Sequence, residues 1–298
     1  MKHRLSLATL ALTMLLGGFA GPAAHAQTLT TTEINELKDI LKCVRYVGTD
    51  PDGHPAIYIG NTGDGGCNFY ITNGTGSSSS TNGTGNLVIG YGGGTGARTG
   101  SHNLVVGNTE TYTSYYNVIG GGSYNTVSGS GNIVWGYANS VSNSNISVIL
   151  GGAGNLIESA FAAAMIGGAA NEVDADYALA AGGTGNTVYY QALRAAAFGG
   201  NSNNVYTGDS AVAVGGYDAL VYGDYSGTFG GSGSETGSSA TYATVTGGYS
   251  NLSTAPYASV SGGDNNEASG SYSSVSGGLN RSVSGADDWR AGGYFQTN

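Results

Sequence analysis

Residues Tyr257 to Gly285 read YASVSGGDNNEASGSYSSVSGGLNRSVSG, which is one short motif written twice. Tyr257 is followed after 15 residues by Tyr272, and Gly262 is followed by Gly277 at the same interval. Each copy holds a short segment centred on Val, a Gly-Gly pair and a Gly/Ser-rich segment. Self-similarity at a fixed short period is the signature of a repeat architecture.

The same unit recurs through most of the chain, and a glycine that ends a short apolar stretch marks each copy. The intervals between these glycines are mostly 15 to 17 residues. The marker glycines are Gly90, Gly107, Gly121, Gly136, Gly151, Gly167, Gly182, Gly199, Gly215, Gly230, Gly247, Gly262, Gly277 and Gly292. Four residues after the marker stands Asn125, Asn155, Asn171, Asn186, Asn203, Asn251 or Asn266. Glycine and asparagine suit chain corners because both tolerate positive φ.

A unit of this length has room for two short strands and no helix. Because such a unit has no core of its own, it must stack on its neighbours. We therefore predict an all-β fold, a parallel β-roll or solenoid of about 14 coils of 15–17 residues over residues 86–298. One inward ladder should comprise Val118, Val134, Ile149, Met165, Val245, Val260 and Val275. A second apolar or small position follows the Asn by two residues, as at Val127, Ile157, Val173, Val188, Val205, Val221, Ala268 and Val283.

Composition excludes several other classes of protein. The chain has 55 Gly but only 4 Pro, whereas collagen needs Gly at every third position and abundant Pro. With 21 Tyr and 9% charged residues, it also differs from disordered chains, which carry much charge and few aromatic residues.

Residues 1–26 have the pattern of an export signal. Lys2 to Arg4 are charged, Leu5 to Leu16 form an apolar run, and Ala24 to Ala26 form a small-residue cleavage site. Cleavage before Gln27 leaves 7 basic and 19 acidic side chains, a net charge of −12. This charge argues against a nucleic-acid partner, and no later stretch has the roughly 18 apolar residues of a membrane helix. We expect an exported protein, extracellular or at the cell surface, with no integral membrane segment.

The segment 27–85 precedes the repeats and is predicted to hold a helix from Thr30 to Arg45 followed by a bridging segment. The apolar residues of this helix follow the 3-4-3 spacing of a coiled-coil seam: Ile34, Leu37, Leu41 and Val44. Such a seam would clamp the subunits of a trimer, although docking of the helix on its own roll explains the pattern as well.

Two cysteines, Cys43 and Cys67, bracket the bridging segment. An even pair in an exported chain predicts a disulfide, which would stabilise the fold by roughly 3 kcal/mol on the loop-entropy model. Two unpaired buried thiols are the alternative.

The search for catalytic, cofactor and metal sites indicates none. After cleavage only His54 and His102 remain, each in a loop-like segment typical of surface histidines. The stretches GGAGN at 151, GGTGN at 182 and GGSGSE at 230 are similar to the calcium-binding GGxGxD repeat. That repeat needs an Asp in each unit and a nine-residue period, and this chain has neither.

Two sets of side chains could face solvent in regular rows. An aromatic ladder ten residues after the marker comprises Tyr177, Tyr225, Tyr257 and Tyr272. These rings could present an exposed surface to sugars or proteins, or stiffen the roll. A hydroxyl row comprises Thr244, Thr246, Ser259, Ser261, Ser274 and Ser276, which could bind ice or simply flank an inward Val.

The segments Tyr257 to Gly285 and NTVSGSGNIVWGYANSVS, from Asn125 to Ser142, resemble the YadA-like head domain of trimeric autotransporter adhesins. The resemblance covers about residues 86–298. It implies a left-handed β-roll, a homotrimer, bacterial surface display and attachment to host or environmental surfaces. That family ends in a stalk and a C-terminal membrane anchor. Here the repeats run almost to Asn298, and we expect the anchor to be lacking.

The function predicted from these observations is non-enzymatic cell adhesion by an adhesin-like head whose extracellular protein or glycan ligand is not identified. A structural component of an extracellular fibre or matrix is the alternative. A third interpretation is an enzyme on a solenoid scaffold, which would call for a charged groove that the sequence does not indicate.

Overall fold

The computed structural model describes residues 29–46, 57–59, 69–91 and 96–291. Its contacts divide the chain into two compact units, Met1–Tyr70 and Ile71–Asn298. The second unit thus begins ahead of residue 86, where the repeat becomes visible in the sequence. The backbone N–H of Gly83, for example, donates to the carbonyl of Thr99 at 2.8 Å, which ties the segment before the repeats to the first coils.

The first unit contains one helix and a two-stranded sheet. Helix α1 spans Thr31–Cys43, and strand β1 (Val44–Tyr46) pairs antiparallel with β2 (Ile57–Ile59). The helix begins with a capping box. The Thr30 N–H donates to Glu33 Oε2 at 2.7 Å, and the Glu33 N–H donates to Thr30 Oγ1 at 3.3 Å.

The expected end of the helix at Arg45 is wrong. Helix α1 ends at Cys43, and Val44 pairs with Ile59 in the two-stranded sheet. β-branched and aromatic residues favour a pleated strand, and the sequence Val-Arg-Tyr finds its partner in Ile-Tyr-Ile. Val44 therefore cannot continue a helical seam.

Of the other three seam residues, Ile34 is half-buried and Leu37 is 38% exposed. The side chain of Leu41 lies outside the described residues, as do the side chain of Cys43 and the whole of Cys67. The trimer seam and the disulfide both stay predictions.

The second unit is a succession of short strands. In chain order these are β3 (Leu87–Ile89), β4 (Leu104–Asn108), β5 (Thr111–Tyr112), β6 (Val118–Ser123), β7 (Thr126–Val127), β8 (Ile133–Tyr137), β9 (Ser140–Ser142), β10 (Val148–Ala153), β11 (Leu156–Glu158), β12 (Ala164–Ile166), β13 (Glu172–Val173), β14 (Leu179–Ala181), β15 (Thr187–Val188), β16 (Ala196–Phe198), β17 (Asn204–Val205), β18 (Val212–Val214), β19 (Leu220–Val221), β20 (Gly227–Phe229), β21 (Glu235–Thr236), β22 (Thr244–Thr246), β23 (Leu252–Ser253), β24 (Ser259–Val260), β25 (Glu267–Ala268), β26 (Ser274–Val275), β27 (Ser282–Val283) and β28 (Trp289–Arg290).

These strands form two parallel sheets. Strand β3, strand β4 and the even-numbered strands from β6 to β28 make a 14-stranded sheet, and the odd-numbered strands from β5 to β27 make a 12-stranded sheet. Every strand pairs with its equivalent one coil away; Ile149, for example, lies between Val134 and Met165. The predicted all-β solenoid of parallel coils, preceded by one short helix, is confirmed.

The inward ladder of the 14-stranded sheet is also largely as predicted. Val134, Ile149, Met165, Val245, Val260 and Val275 are each at most 1% exposed. Val118 is wrong, because it is half-buried and its neighbour Ile119 pairs with Val134 in the fully buried column. Successive residues of a strand face opposite sides, so an error of one residue exchanges the core for the surface.

The 12-stranded sheet contributes the opposite wall of the core. The predicted positions are all buried: Val127, Ile157, Val173, Val188, Val205, Val221, Ala268 and Val283. In one coil both walls of the core carry a buried polar residue, Thr228 in the 14-stranded sheet and Thr236 in the 12-stranded sheet. The hydroxyls of Thr236 and Ser226 lie 2.9 Å apart, so part of this polarity is satisfied inside the roll.

A ladder of buried asparagine side chains closes one corner of the roll in most coils. The side-chain oxygen of each Asn accepts the backbone N–H of the equivalent residue in the next coil at 3.0 to 3.1 Å. The ladder comprises Asn125, Asn139, Asn155, Asn171, Asn186 and Asn203, and it resumes at Asn251 and Asn266. The side-chain NH2 groups donate to glycine carbonyls, as Asn203 does to Gly199 at 3.1 Å. Regular corner asparagines are therefore structural.

Candidate functional site

The outward side of the 14-stranded sheet is apolar over ten consecutive strands, β3 to β20. We call this surface the apolar face. Its positions flank the inward ladder on each strand: Leu87 and Ile89, Leu104 and Val106, Val118 and Gly120, Ile133 and Trp135, Val148 and Leu150, Ala164 and Ile166, Leu179 and Ala181, Ala196 and Phe198, Val212 and Val214, and Gly227 and Phe229. None is polar, and Trp135, Leu150 and Ile166 are 48 to 50% exposed.

The apolar face gives way to hydroxyl groups on the next strands of the same sheet. The predicted row Thr244, Thr246, Ser259, Ser261, Ser274 and Ser276 does flank the inward Val245, Val260 and Val275. The row ends at Trp289, whose Nε1–H donates to Ser276 Oγ at 2.7 Å. The sheet therefore presents two chemically different outward surfaces in succession.

The aromatic ladder differs from the predicted one. Tyr225, Tyr242, Tyr257 and Tyr272 stack in sequence, with ring centroids 5.0, 5.0 and 4.6 Å apart and planes within 16° of parallel. We call these four residues the tyrosine ladder. Tyr177 is not part of it; its ring instead meets Phe161 edge-on at 5.7 Å.

Tyr177 is separated from Tyr225 by two coils that have no aromatic residue at the same position. The residues at that position are Arg194 and Ser210, so no ring bridges the interval. Tyr242 was missed because its coil has two extra residues, which place it twelve rather than ten after the marker glycine. Counting back five residues from the next marker would have found it.

A second stack lies on the outward side of the 12-stranded sheet and was missed by the sequence analysis. Tyr189, Tyr206 and Tyr222 stack at 4.5 and 4.8 Å, with planes within 9° of parallel. Each follows directly after a buried valine of the inward column. That position relative to the predicted core was a signal that could have found them.

An acidic cluster adjoins this second stack. Glu158, Glu172 and Asp174 each contribute one carboxylate oxygen to a group of three that lie within 4.8 Å of one another. Burial, followed by the charges of Glu172 and Glu158, raises the pKa of Asp174 to about 6. One carboxylate oxygen of Asp174 has no hydrogen-bond partner. The three negative charges repel one another, and protonation of Asp174 reduces this repulsion.

In two of the three stretches that are similar to the calcium repeat, the Asn side chain is used by the fold itself. Asn155 and Asn186, at the acidic position of the calcium repeat, are buried and accept backbone N–H groups within the asparagine ladder, both at 3.0 to 3.1 Å. Their oxygens are thus committed to the fold.

Glu110 closes the N-terminal end of the asparagine ladder. It is 2% exposed and accepts the backbone N–H of Asn125 at 2.7 Å and the Asn125 side-chain NH2 at 3.3 Å. Burial raises the pKa of Glu110, while the hydrogen bonds from Asn125 and the charge of Arg98 oppose that shift. A small, mainly apolar pocket that includes Val88, Arg98 and Tyr112 adjoins it.

Of the two candidate histidines, only His102 lies in the part of the chain that the structure describes. His102 is half-buried, its ring lies 5.9 Å from that of Tyr116, and its Nδ1 has no hydrogen-bond partner. His54 lies outside the described residues.

No protein-family model, curated protein or solved structure matches this chain. The solenoid is not specific to YadA-like heads, so that resemblance stays an expectation. Within the described residues, no helix has the length and apolar character needed to cross a bilayer.

Proposed function

We propose that this chain is the head of an exported homotrimer, which attaches to extracellular surfaces and catalyses no reaction. The observation that carries the proposal is the apolar face, with two apolar outward positions on each of ten strands. Exposed contiguous apolar patches of a few hundred Å² are often functional, and protein–protein contact is one of their common roles. The partners proposed to cover the apolar face are further copies of this chain, each of which carries the same face.

The size of the apolar face supports association of copies. Ten strands at about 4.8 Å span about 43 Å, and a width of about 10 Å makes the area about 400 Å² per copy. At about 25 cal/mol per Å², burying it contributes on the order of 10 kcal/mol, which is comparable with the cost of association. The number three comes from the resemblance to YadA-like heads; a face-to-face pair would bury the same surface.

The proposed export rests on the predicted signal in residues 1–26 and on the cysteine pair; the signal, the side chain of Cys43 and the whole of Cys67 lie outside the described residues. A rigid exported rod of 14 strands is about 60 Å long. Three such rods side by side would present each outward position three times. Once one weak contact has formed, the other sites of the trimer meet the surface at a high effective concentration, so the overall affinity rises. This is the physical basis of attachment by avidity.

The test is the solution mass of the secreted mature protein, measured by light scattering on a sizing column. We expect three times the mass of one chain. Leu150→Asp, which places a charge in the middle of the apolar face, should reduce the mass to that of one chain. Thr246→Asp is the matched control, because it lies on the same sheet beyond the apolar face and should leave the mass unchanged.

A monomeric wild-type protein, or a trimer that Leu150→Asp leaves intact, would overturn the assembly. Beads coated with the trimer should also adhere to cells or abiotic surfaces more than uncoated beads do. A trimer that confers no adhesion would overturn the attachment function.

A fibre component is the second candidate, and one observation favours it. Among the described residues, strands β3 and β28 each have a single neighbour in the 14-stranded sheet, so each end of this sheet has an edge that another roll could extend. Filaments that lengthen with protein concentration, seen by electron microscopy, would support this function over attachment by separate trimers.

A further inference from the structure

The end of the tyrosine ladder at Tyr225 differs from its interior. Tyr242 and Tyr257 each have a neighbouring ring on both faces, at centroid distances of 4.6 to 5.0 Å. Tyr225 has a ring on one face only, because Ser210 fills the same position in the preceding coil. Both Tyr225 and Ser210 donate their backbone N–H to the coil before them, at 2.9 and 2.8 Å. The outer face of the Tyr225 ring therefore adjoins a small hydroxyl-bearing side chain.

Charged groups of both signs lie in the two coils that precede this uncovered ring face. Arg194, one coil before Ser210, forms an ion pair with Asp209, and the two side chains are 57% and 30% exposed. The Ser210 hydroxyl donates to Asp209 Oδ1 at 3.2 Å. Asp209 is itself held in place, because its backbone N–H donates to Asp224 Oδ1 at 2.9 Å. A guanidinium, a carboxylate and a hydroxyl thus lie in the two coils on the side of the uncovered Tyr225 ring face.

An aromatic face attracts C–H groups through its negative quadrupole, and paired donors and acceptors bind hydroxyl groups. A sugar ring carries both: C–H groups on its faces and hydroxyls on its rim. The ion pair is neutral as a whole, and the predicted mature chain, with 7 basic and 19 acidic side chains, has a net charge of −12, which disfavours acidic polymers. We propose that Tyr225, Ser210, Arg194 and Asp209 form a binding site for a neutral sugar ring of an extracellular polysaccharide. This site names the ligand class of the proposed attachment function and depends on that function.

The opposite end of the ladder provides a built-in comparison. The outer face of Tyr272 adjoins Asp287, an exposed carboxylate in the same position of the next coil. Among the described residues no ion pair lies beside it. Tyr272 therefore lacks the donor that Arg194 supplies to the Tyr225 end.

Two variants extend the ladder by one ring at one end or the other. Ser210→Tyr covers the outer face of Tyr225 and should close the site. The backbone φ is +57° at Ser210 and +54° at Tyr225, so this position accepts a tyrosine in the same conformation. Asp287→Tyr, at φ +61°, covers Tyr272 instead and is the matched control. Tyr225→Ala removes the ring itself.

The experiment is affinity electrophoresis of the mature protein through gels containing xyloglucan, galactomannan, polygalacturonate or gelatin. We expect at least one of the two neutral polysaccharides to retard the wild-type protein and Asp287→Tyr equally. Ser210→Tyr and Tyr225→Ala should need about tenfold more polysaccharide for the same retardation. Light scattering on each variant checks that the assembly is unchanged.

Retardation by polygalacturonate or gelatin alone, or by none of the four polymers, would overturn the proposal. So would a Ser210→Tyr protein that is retarded as strongly as the wild type. If the protein is a trimer that adheres to surfaces but gives any of these contradicting gel results, the sugar site is refuted and the attachment function stands. If the protein is a monomer that adheres to nothing, the attachment function fails whatever the gels show.

Discussion

At the scale of single residues, the Gly-Gly-x-x-Asn corner is one hydrogen-bonding device. Asn171 is 1% exposed, and its side-chain oxygen accepts the Asn186 N–H at 3.0 Å. Without that side chain a buried N–H would lose its partner, at a cost of about 1 to 3 kcal/mol. Gly200 is needed for a second reason: φ is +71°, and a Cβ there would collide with the carbonyl oxygen of Gly216.

Asp174 makes the stability of the roll depend on pH. Its pKa is raised to about 6 in the fold, against about 3.9 in an unfolded chain. Between these values the folded state binds more protons, so stability falls as pH rises from about 4 to about 6. Above that window the ionised carboxylate costs on the order of 1 kcal/mol, allowing for solvent screening. Asp174→Asn should raise the free energy of unfolding at pH 7 and flatten this pH profile, measured by urea unfolding.

Asp218→Asn is the matched control for this measurement, since it removes an equal charge from an exposed corner. It should leave the slope between pH 4 and 6 as it is in the wild type. An Asp174→Asn protein that retains the wild-type slope would contradict the role of the acidic cluster.

At the scale of the element, each strand is too short to specify its own orientation. Strands β24 and β26 are two residues long, and one residue of each faces the core while its neighbour faces out. Orientation comes from pairing with the coils above and below. The period identified the inward Val134 and Ile149 correctly, whereas at Val118 it was wrong by one residue, and Ile119 is the one paired with Val134.

Val260→Asp tests the inward ladder directly. Val260 is 1% exposed, so the substitution would bury an unpaired charge and should prevent folding and secretion. Ser261→Asp, at an exposed position one residue later, should be secreted and folded as the wild type is. Circular dichroism and the yield of secreted protein measure both. A normally folded Val260→Asp protein would refute the inward position.

At the scale of the whole molecule, the proposed assembly would use two candidate surfaces that belong to separate units. The apolar face lies on the roll, and the predicted seam residues lie on or just after helix α1. With Val44 in strand β1, only Ile34, Leu37 and Leu41 remain on the helix, fewer than two full heptads. The roll therefore offers much the larger apolar surface for association.

Replacing both Leu37 and Leu41 by Ser separates these two contributions. We expect weaker subunit association without melting of the roll, since the helix belongs to a separate compact unit. Light scattering over a dilution series gives the association strength, and circular dichroism gives the melting temperature. An unchanged mass at every dilution would mean that the apolar face alone suffices for assembly.

The sequence by itself determined the coil length, the parallel stacking and, apart from Val118, the inward positions that it named. These follow from the period, because a short unit must repeat its apolar residues at the same place to build a core. Only the tertiary structure decided which outward side chains meet. Tyr242 belongs to the tyrosine ladder and Tyr177 does not. Hydrogen bonds between coils set the register, and the two extra residues of the Tyr242 coil lie in a turn, so Tyr242 keeps its alignment with Tyr225. The uncovered face of Tyr225 exists for the same reason, since the residue one coil away, not the next in sequence, is its neighbour.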